Sequence, residues 1–326
     1  MKIFTPAYYH QFHCIASACP DSCCKEWDVD VDDASAVRYR ALPGALGDRL
    51  REVLRDTDDG TVMTIQDGRC PMWRQDGLCR IQAELGHEAL CTVCQQFPRL
   101  THDYGDFIER DLELSCPEAT RLILSCDDTL TAQEVPVGEP GCDPETMEIL
   151  LRSRSQVLEL FGSHTSLPQA LSILLLYGHS VQEELDGCEE AAMLPEVRLQ
   201  QEVRGDWERL FAFFRSLEIL TPRWSQLLHT APSKAPWDPR LFAFVRYMVR
   251  RYWLQAVSDF DILCRVKFIV AACLLIHAIG GNTEEVAQLF SKEIENDPDN
   301  VESILDGAYT SPALTDLQLL GLLLEG

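Results

Sequence analysis

The sequence predicts a mainly α-helical protein in which a small, irregular α+β, cysteine-rich metal-binding domain is followed by an α-helical bundle. Ten of the 14 cysteines fall within the first 126 of the 326 residues. The apolar patterns in that part are short and mixed, whereas the later part carries long helical patterns. We therefore expect a metal-binding domain at 1–126 and a helical domain at 144–326. A linker at 127–143, with little apolar periodicity, is expected to join them.

The cysteine-rich part predicts short elements in the following order. Hairpins are expected where Asp76-Gly77 and Gly105-Asp106 provide turn residues. Gly86 and Pro98 end two of the expected helices. The predicted helices cover 33–42, 46–56, 80–85, 87–97 and 117–125, the strand covers 61–66, and the hairpins cover 70–79 and 102–115.

The later part predicts helices that begin at prolines. Five times, a residue whose side chain can cap a helix stands directly before a proline, which is typical of a helix start. These pairs are Asp143-Pro144, Thr221-Pro222, Asp238-Pro239, Asp297-Pro298 and Ser311-Pro312. The segment 268–279 is apolar nearly all round, which predicts a central buried helix.

The charge balance restricts the classes of partner. The chain has 52 acidic and 28 basic residues, a formal net charge of -24, spread over both predicted domains. This field repels nucleic acids and anionic membranes and favours a basic partner, such as a lysine-bearing protein. The first ten residues contain no apolar signal segment, so we expect a cytoplasmic protein with reduced thiols. In that compartment clustered cysteines bind metal more often than they form disulfides.

The spacing of the cysteines predicts a metal or cluster site. A chain of this length does not need disulfides to fold stably. Three cysteine pairs are placed to present sulfur to one point: Cys19 with Cys23, Cys70 with Cys79, and Cys91 with Cys94. Only the last pair has the C-x2-C spacing typical of structural zinc. The irregular spacing favours an iron–sulfur cluster, and zinc stays open as the alternative metal.

Several motifs in register resemble the flagellin lysine-N-methylase (FliB-like) family, within the wider group of CxxCxxCC zinc- or iron-chelating proteins. The resemblance covers roughly residues 7–124. It rests on Phe12-His-Cys-Ile-Ala-Ser-Ala-Cys-Pro-Asp-Ser-Cys-Cys-Lys-Glu-Trp27, Cys70-Pro71, Gly77-Leu-Cys-Arg-Ile-Gln82, Leu85-Gly86, Cys94-x2-Phe97-Pro98-Arg99 and Leu114-Ser-Cys-Pro-Glu118.

The resemblance implies a cytoplasmic methyltransferase of the bacterial flagellum system that methylates lysine ε-amines of flagellin. It implies S-adenosylmethionine (SAM) as methyl donor and a [4Fe-4S] cluster. The family cysteines it points to are Cys14, Cys19, Cys23, Cys24, Cys70, Cys79, Cys94 and Cys116, with Cys91 as a weaker candidate. The CxxxCxxC triplet of radical-SAM enzymes is only approached, so a radical mechanism is not supported.

Candidate residues for methyl transfer lie beside the cysteine motifs. The sequence has no glycine-rich SAM fingerprint, so SAM needs another binding surface. Aromatic side chains orient and desolvate a lysine amine, which suggests Trp27 and Tyr104, with His102 as a proton relay. Arg99 and Phe97 are candidates for SAM contacts. The alternative explanation for the aromatic residues is core packing around a metal.

Two other classes of function remain open. The first is a non-enzymatic zinc-binding module that holds a basic protein through its acidic surface. The second is a redox or metal-handling protein with labile cysteines. Metal analysis separates the zinc module from an iron–sulfur enzyme.

Overall fold

Two hydrophobic cores organise the protein. The structure, a computed structural model, describes residues 1–25, 27–135, 141–162, 165–196 and 204–325. The smaller core is built from side chains between Val29 and Cys94. The larger core combines Tyr8, Phe12 and side chains of 104–124 with those of the later helices. It therefore takes residues from both sides of position 126, and the division into domains stays a prediction.

The cysteine-rich part consists of short strands and helices, as the sequence predicts. Short 3-10 turns lie at Ala7–Gln11, Ala16–Ala18 and His87–Ala89. The strands and helices in chain order are β1 (Lys2–Pro6), β2 (Val29–Val31), α1 (Asp33–Ala41), α2 (Gly44–Val53), β3 (Leu54–Thr57), β4 (Gly60–Met63), α3 (Arg80–Leu85), α4 (Thr92–Gln96), β5 (Arg99–Asp103), β6 (Phe107–Leu112), α5 (Pro117–Ser125) and β7 (Leu130–Glu134).

Two small sheets hold these elements. One has the order β5-β6-β1-β7, in which β1 runs parallel to β6 and antiparallel to β7. The other has the order β2-β4-β3. Strand β7 lies inside the segment predicted as a linker, and all five of its residues are exposed. It therefore has no apolar alternation from which a strand could be predicted, and residues 136–140 of that segment lie outside the described residues.

The local predictions differ from the structure at one strand and two helices. The predicted strand at 61–66 ends at Met63. The predicted helix at 46–56 ends at Val53, because the chain continues directly into β3. The predicted helix at 87–97 is divided into a 3-10 turn and α4, since Leu90 and Cys91 have extended backbone conformations. This break gives Cys91 its place at the start of a helix.

The later part is a helical bundle around a buried central helix, as the sequence predicts. Every residue of α11 is buried, which agrees with the apolar run predicted at 268–279, and the buried set also includes Arg265, Lys267 and His277. Asp143, Thr221 and Asp297 cap helices as expected. At Asp238-Pro239 the N-cap is Pro239 and the helix begins at Arg240, and Ser311-Pro312 begins only a turn. The helices are α6 (Pro144–Leu160), α7 (Leu167–Leu185), α8 (Trp207–Arg215), α9 (Pro222–Leu227), α10 (Arg240–Tyr252), α11 (Leu263–Ile279), α12 (Thr283–Phe290), α13 (Pro298–Thr310) and α14 (Asp316–Glu325).

A π-helical turn, Ser291–Glu295, extends α12 and is buried along its length. Such turns often occur at functional sites because they insert one residue into the helix. None of the described helices is long and apolar enough to cross a membrane.

A buried carboxyl joins the four-stranded sheet to the bundle. Asp111 on β6 accepts hydrogen bonds from the Tyr8 hydroxyl at 2.6 Å and from the Leu112 backbone N–H at 2.8 Å. Burial raises the pKa of Asp111 from 3.8 to about 6, although Arg250 lies close enough to oppose the rise. The ionised form is therefore destabilised in the folded protein.

We expect Asp111→Asn to stabilise the protein at neutral pH. The asparagine oxygen still accepts both hydrogen bonds, and the penalty of burying a charge is removed. Because the folded pKa is the higher one, this penalty is absent below about pH 4, grows towards pH 6 and then stays constant at roughly 3 kcal/mol. Urea unfolding of both proteins from pH 4 to 8 measures the difference. A difference that is the same at every pH would contradict this origin.

Candidate metal centre

Six of the cysteines gather at the smaller core, and we call them the six-cysteine group. Cys70 and Cys91 belong to that core and are only 5% and 1% exposed. Cys24, Cys79 and Cys94 pack against it while half-buried. Cys23 completes the group, since it neighbours Cys24 and its side chain remains exposed.

Backbone hydrogen bonds join the segments that carry these cysteines. The N–H of Cys70 donates to the carbonyl oxygen of Cys24 at 2.7 Å, which connects two distant stretches of chain. The predicted hairpin is present as a bridge between Trp73 and Cys79. Cys91 is the N-cap of α4 and Cys94 lies in its first turn, so their spacing places both sulfurs on one side of the helix, as predicted.

Backbone N–H groups point at several of these sulfurs. Cys79, at the N-cap of α3, receives such groups from Ile81 and Gln82, and Cys70 receives one from Met72. Each of these hydrogen bonds lowers the pKa of the thiol that accepts it, because it stabilises the thiolate. In iron–sulfur proteins, hydrogen bonds to the sulfurs also help to set the reduction potential of the cluster.

The thiols also act on one another. The hydrogen-bonding thiol of Cys94 lowers the pKa of Cys91 to about 7, which outweighs the effect of burial. The same contact, together with burial, raises the pKa of Cys94 well above its usual range. In the same way the Cys24 thiol lowers the pKa of Cys70. Cys91, the weaker candidate in the sequence, is therefore an integral member of the group.

The donor set suits a sulfur-ligated metal cluster. Six sulfurs come from four segments, and the pKa values of Cys70 and Cys91 are lowered, which favours their thiolate forms. Within the described ranges, no three His, Cys, Asp or Glu side chains have the arrangement that holds a single metal ion. A cluster distributes its cysteine ligands over several irons, so it does not require all the sulfurs to meet at one ion.

Three further predicted ligands, Cys14, Cys19 and Cys116, form a second set beside the larger core, and we call them the three-cysteine group. The charges of Cys19 and Cys14 contribute to the raised pKa of Cys116, after burial, which is the main cause and takes that pKa to about 12. Cys116 is the N-cap of α5, and the N–H groups of Ala119 and Glu118 point at its sulfur.

A buried glutamine connects the loops of the three-cysteine group. The Gln288 amide on α12 donates to the Ser115 carbonyl oxygen at 2.8 Å and to Asp21 Oδ2 at 3.1 Å. Asp21 follows Cys19 by two positions, and Ser115 directly precedes Cys116. Helix α12 therefore fixes the distance between the two loops.

A buried lysine reaches the same loop from the π-helical turn. Lys292 is only 2% exposed, and its Nζ lies 3.0 Å from Asp21 Oδ2. The same ammonium lies 5.3 Å from the ring centre of Trp27, close enough for a cation–π interaction. Burial alone raises the pKa of Asp21, but Lys292 outweighs it and holds that pKa below its usual value.

The structure separates the predicted methyl-transfer residues into two places. Trp27 and Phe97 lie together, with ring centres 6.5 Å apart. His102 and Tyr104 lie elsewhere, where Tyr104 lines a cavity of about 440 Å³ with Cys142 and His102 lines a much smaller one. Their catalytic roles stay predictions.

Arg99, the predicted SAM contact, lies on β5 with its guanidinium 5.2 Å from the Phe12 ring centre. The described cavities that touch the cysteine groups do not include it or Phe97 among their lining residues. Their roles as SAM contacts stay predictions.

Sequence reasoning missed Asp21, Lys292 and Gln288. Asp21 gives a signal, because an acid enclosed by Cys19 and Cys23 is close to any ligand there. Lys292 and Gln288 give no such signal in the sequence, because both lie far along the chain from the cysteine motifs. They belong to α12 and its π-helical extension, whose sequence pattern is that of an ordinary amphipathic helix.

Part of the chain is similar to known Salmonella proteins. The chain is 33% identical over 144 residues to the flagellar biosynthetic protein FliU of Salmonella muenchen, a match that covers 41% of this chain and 83% of that protein. Lysine-N-methylases of Salmonella typhimurium and Salmonella choleraesuis are each 32% identical over 141 residues, covering 41% of this chain. The match spans 35% of the length of these two relatives.

No family model matches the chain, and no solved structure matches it. The fold and the sulfur groups define a cysteine-rich protein with a helical bundle. The relatives specify it further: the chain belongs to the flagellin lysine-N-methylase (FliB-like) family, as the sequence motifs predict.

Proposed function

We propose that the chain is an iron–sulfur-dependent protein lysine N-methyltransferase that transfers a methyl group from SAM to lysine ε-amines of flagellin. Its similarity to proteins named lysine-N-methylase is the observation that carries the proposal. The six-cysteine group supports the iron–sulfur part, because it offers more thiolate ligands than one cluster needs.

Members of the six-cysteine group would hold a [4Fe-4S] cluster, which when bound supplies an iron site able to engage a polar ligand. Cys70 and Cys91 are the best-placed ligands, since both are buried in the smaller core. The backbone donors to Cys79 and Cys70 favour the thiolate form of these sulfurs, against burial, which raises the pKa of both thiols.

The methyl transfer itself requires a neutral lysine amine. Its nitrogen lone pair forms a bond to the methyl carbon while the carbon–sulfur bond of SAM breaks. The electron pair of that bond stays on sulfur, which gives S-adenosylhomocysteine, and the amine releases a proton. The protein must therefore orient and desolvate the two reactants.

The acidic surface of the chain attracts a basic substrate. A net charge of -24 steers lysine-bearing segments towards the protein.

One face of the Trp27 ring is already occupied, because the ammonium of Lys292 lies over it. An incoming lysine therefore needs another face of Trp27 or a different aromatic residue.

We expect anaerobically purified protein to contain iron and sulfide, and to add methyl groups to flagellin lysines when SAM is supplied. Iron, sulfide and zinc analysis measures the first, and peptide mass spectrometry the second. Reactions without SAM, and reactions with metal-stripped protein, are the controls. Stoichiometric zinc without iron or sulfide would contradict the cluster. Absence of methylated lysine under reducing, iron-replete conditions would contradict the activity.

A further inference from the structure

A cavity of about 810 Å³ opens between the cysteine-rich part and the bundle. Helices α5, α9 and α12 form its walls together with the loop that carries Cys14 and Cys19. Its volume falls within the range of clefts that bind small organic ligands. We call it the junction cavity.

The junction cavity lies directly beside the three-cysteine group. The residues that immediately follow Cys14, Cys19 and Cys116 in the chain all line it: Ile15, Pro20 and Pro117. Gln288, which bridges Asp21 and Ser115, lines it as well. The junction cavity therefore borders the chain segments that carry three of the predicted metal ligands, although no cysteine of the described residues lines it.

The charges on its wall are balanced. Four acids and four bases line it: Asp21, Glu118, Glu284 and Glu285, with Lys25, Arg121, Arg223 and Lys292. A phosphate-rich ligand needs an excess of bases, and a lone lysine side chain needs an excess of acids. Balanced charges with amide groups and apolar patches instead suit a ligand that carries both charges and a polar ring system.

The bases differ in how firmly they are held. Lys25 and Lys292 share Asp21, and Arg121 makes two hydrogen bonds to Glu118. The side chains of Arg223 and Arg121 are similarly accessible, at 52% and 51% exposed. Their acidic partners differ, because Glu285 is 40% exposed and Glu118 only 12%. The Nε of Arg223 donates to Glu285 Oε1 at 2.8 Å, and its Nη2 lies 2.8 Å from the same oxygen. Arg223 is therefore the base best able to accept a new carboxylate.

We propose that the junction cavity binds SAM, with Arg223 contacting the carboxylate of its methionine part. The inference rests on the proposed function, and it locates the binding site of the methyl donor in the junction cavity. SAM combines an amino-acid zwitterion with a nucleoside, which matches the mixed lining. Glu285, once it shares Arg223 with the ligand, lies near the ligand's ammonium group.

The test measures binding of S-adenosylhomocysteine, which cannot transfer a methyl group, to the metal-loaded full chain by calorimetry. Gln226 is exposed on α9 and lines the cavity, so Gln226→Trp places a bulky indole at the cavity wall. Gln169→Trp is the matched control, because Gln169 is exposed on α7 and lines none of the cavities described. Arg223→Ala is compared with Arg209→Ala, a similarly exposed arginine whose partner is Asp206.

We expect Gln226→Trp to abolish binding and Arg223→Ala to weaken it about tenfold, as for a lost charged hydrogen bond. The two controls should bind like the unmodified protein. Unchanged binding by Gln226→Trp, with the unmodified protein still binding and methylating, would overturn the location alone. If Gln226→Trp keeps its affinity for S-adenosylhomocysteine but loses binding of a lysine-containing flagellin peptide, the cavity binds the protein substrate and the inference is overturned. If the unmodified protein neither binds S-adenosylhomocysteine nor methylates, the proposed function fails as well.

Discussion

Replacing Cys70 and Cys91 together by serine is expected to remove the bound metal almost completely. Both thiols are buried in the smaller core, and both have lowered pKa values because a neighbouring thiol donates a hydrogen bond to each sulfur. A serine hydroxyl is a much poorer ligand for a thiophilic metal than a thiolate. We expect metal content to fall more than about tenfold, since metal binding and folding of such a site are coupled.

Cys264→Ser is the matched control for this change. Cys264 is 3% exposed, like the other two, but lies at the start of α11 beside Asp261. Its replacement should lower stability slightly and leave the metal in place. Circular dichroism checks that each variant is folded before metal is counted. Full metal content in the folded Cys70→Ser/Cys91→Ser protein would show that the six-cysteine group is not the binding site.

Lys292→Met is expected to reduce the free energy of unfolding by about 3–5 kcal/mol, the usual cost of breaking a buried ion pair from one side. It removes the ammonium from Asp21 and from the face of Trp27. Because Asp21 lies between Cys19 and Cys23, we also expect metal affinity to fall about tenfold, as when a residue supporting a ligand is lost.

Lys267→Met separates these two effects. Lys267 is also a buried lysine, and its Nζ donates to the Ala308 carbonyl oxygen at 2.9 Å. It lies on α11 of the bundle, which carries none of the predicted metal ligands. This variant should lose stability but keep its metal affinity. Chemical unfolding and metal titration measure both quantities in both proteins. Equal losses of metal affinity in the two variants would mean that Lys292 acts only through overall stability.

Local signals predicted much of the fold. Gly86 after α3, the proline at the start of α5 and the apolar run of α11 are each sufficient to place an element. The spacing of Cys91 and Cys94 likewise predicts, from local sequence alone, that their two sulfurs lie on the same side of a helix. Pairings between distant segments gave no such signal. Nothing near β1 indicates that it lies parallel to β6, because that pairing depends on packing across a hundred residues.

The candidate site divides in the same way. The sequence identifies which cysteines belong to the motifs, since their spacing is local. It does not separate the six-cysteine group from the three-cysteine group, because contacts between distant segments decide that Cys116 packs against the larger core while Cys70 and Cys91 belong to the smaller one. Asp21 and Lys292, 271 residues apart, meet only in the folded chain.

The ion pair between Asp21 and Lys292 can form only late in translation, after the cysteine-rich part has been synthesised. The six-cysteine group is complete once residue 94 has emerged, whereas Lys292 is made nearly 200 residues later. At roughly 5–20 residues per second, translation leaves an interval on the order of 10–40 s between the two. During that interval the nascent cysteines are accessible to cellular metal donors, and the loop of Cys19 and Asp21 is secured only when synthesis is almost finished.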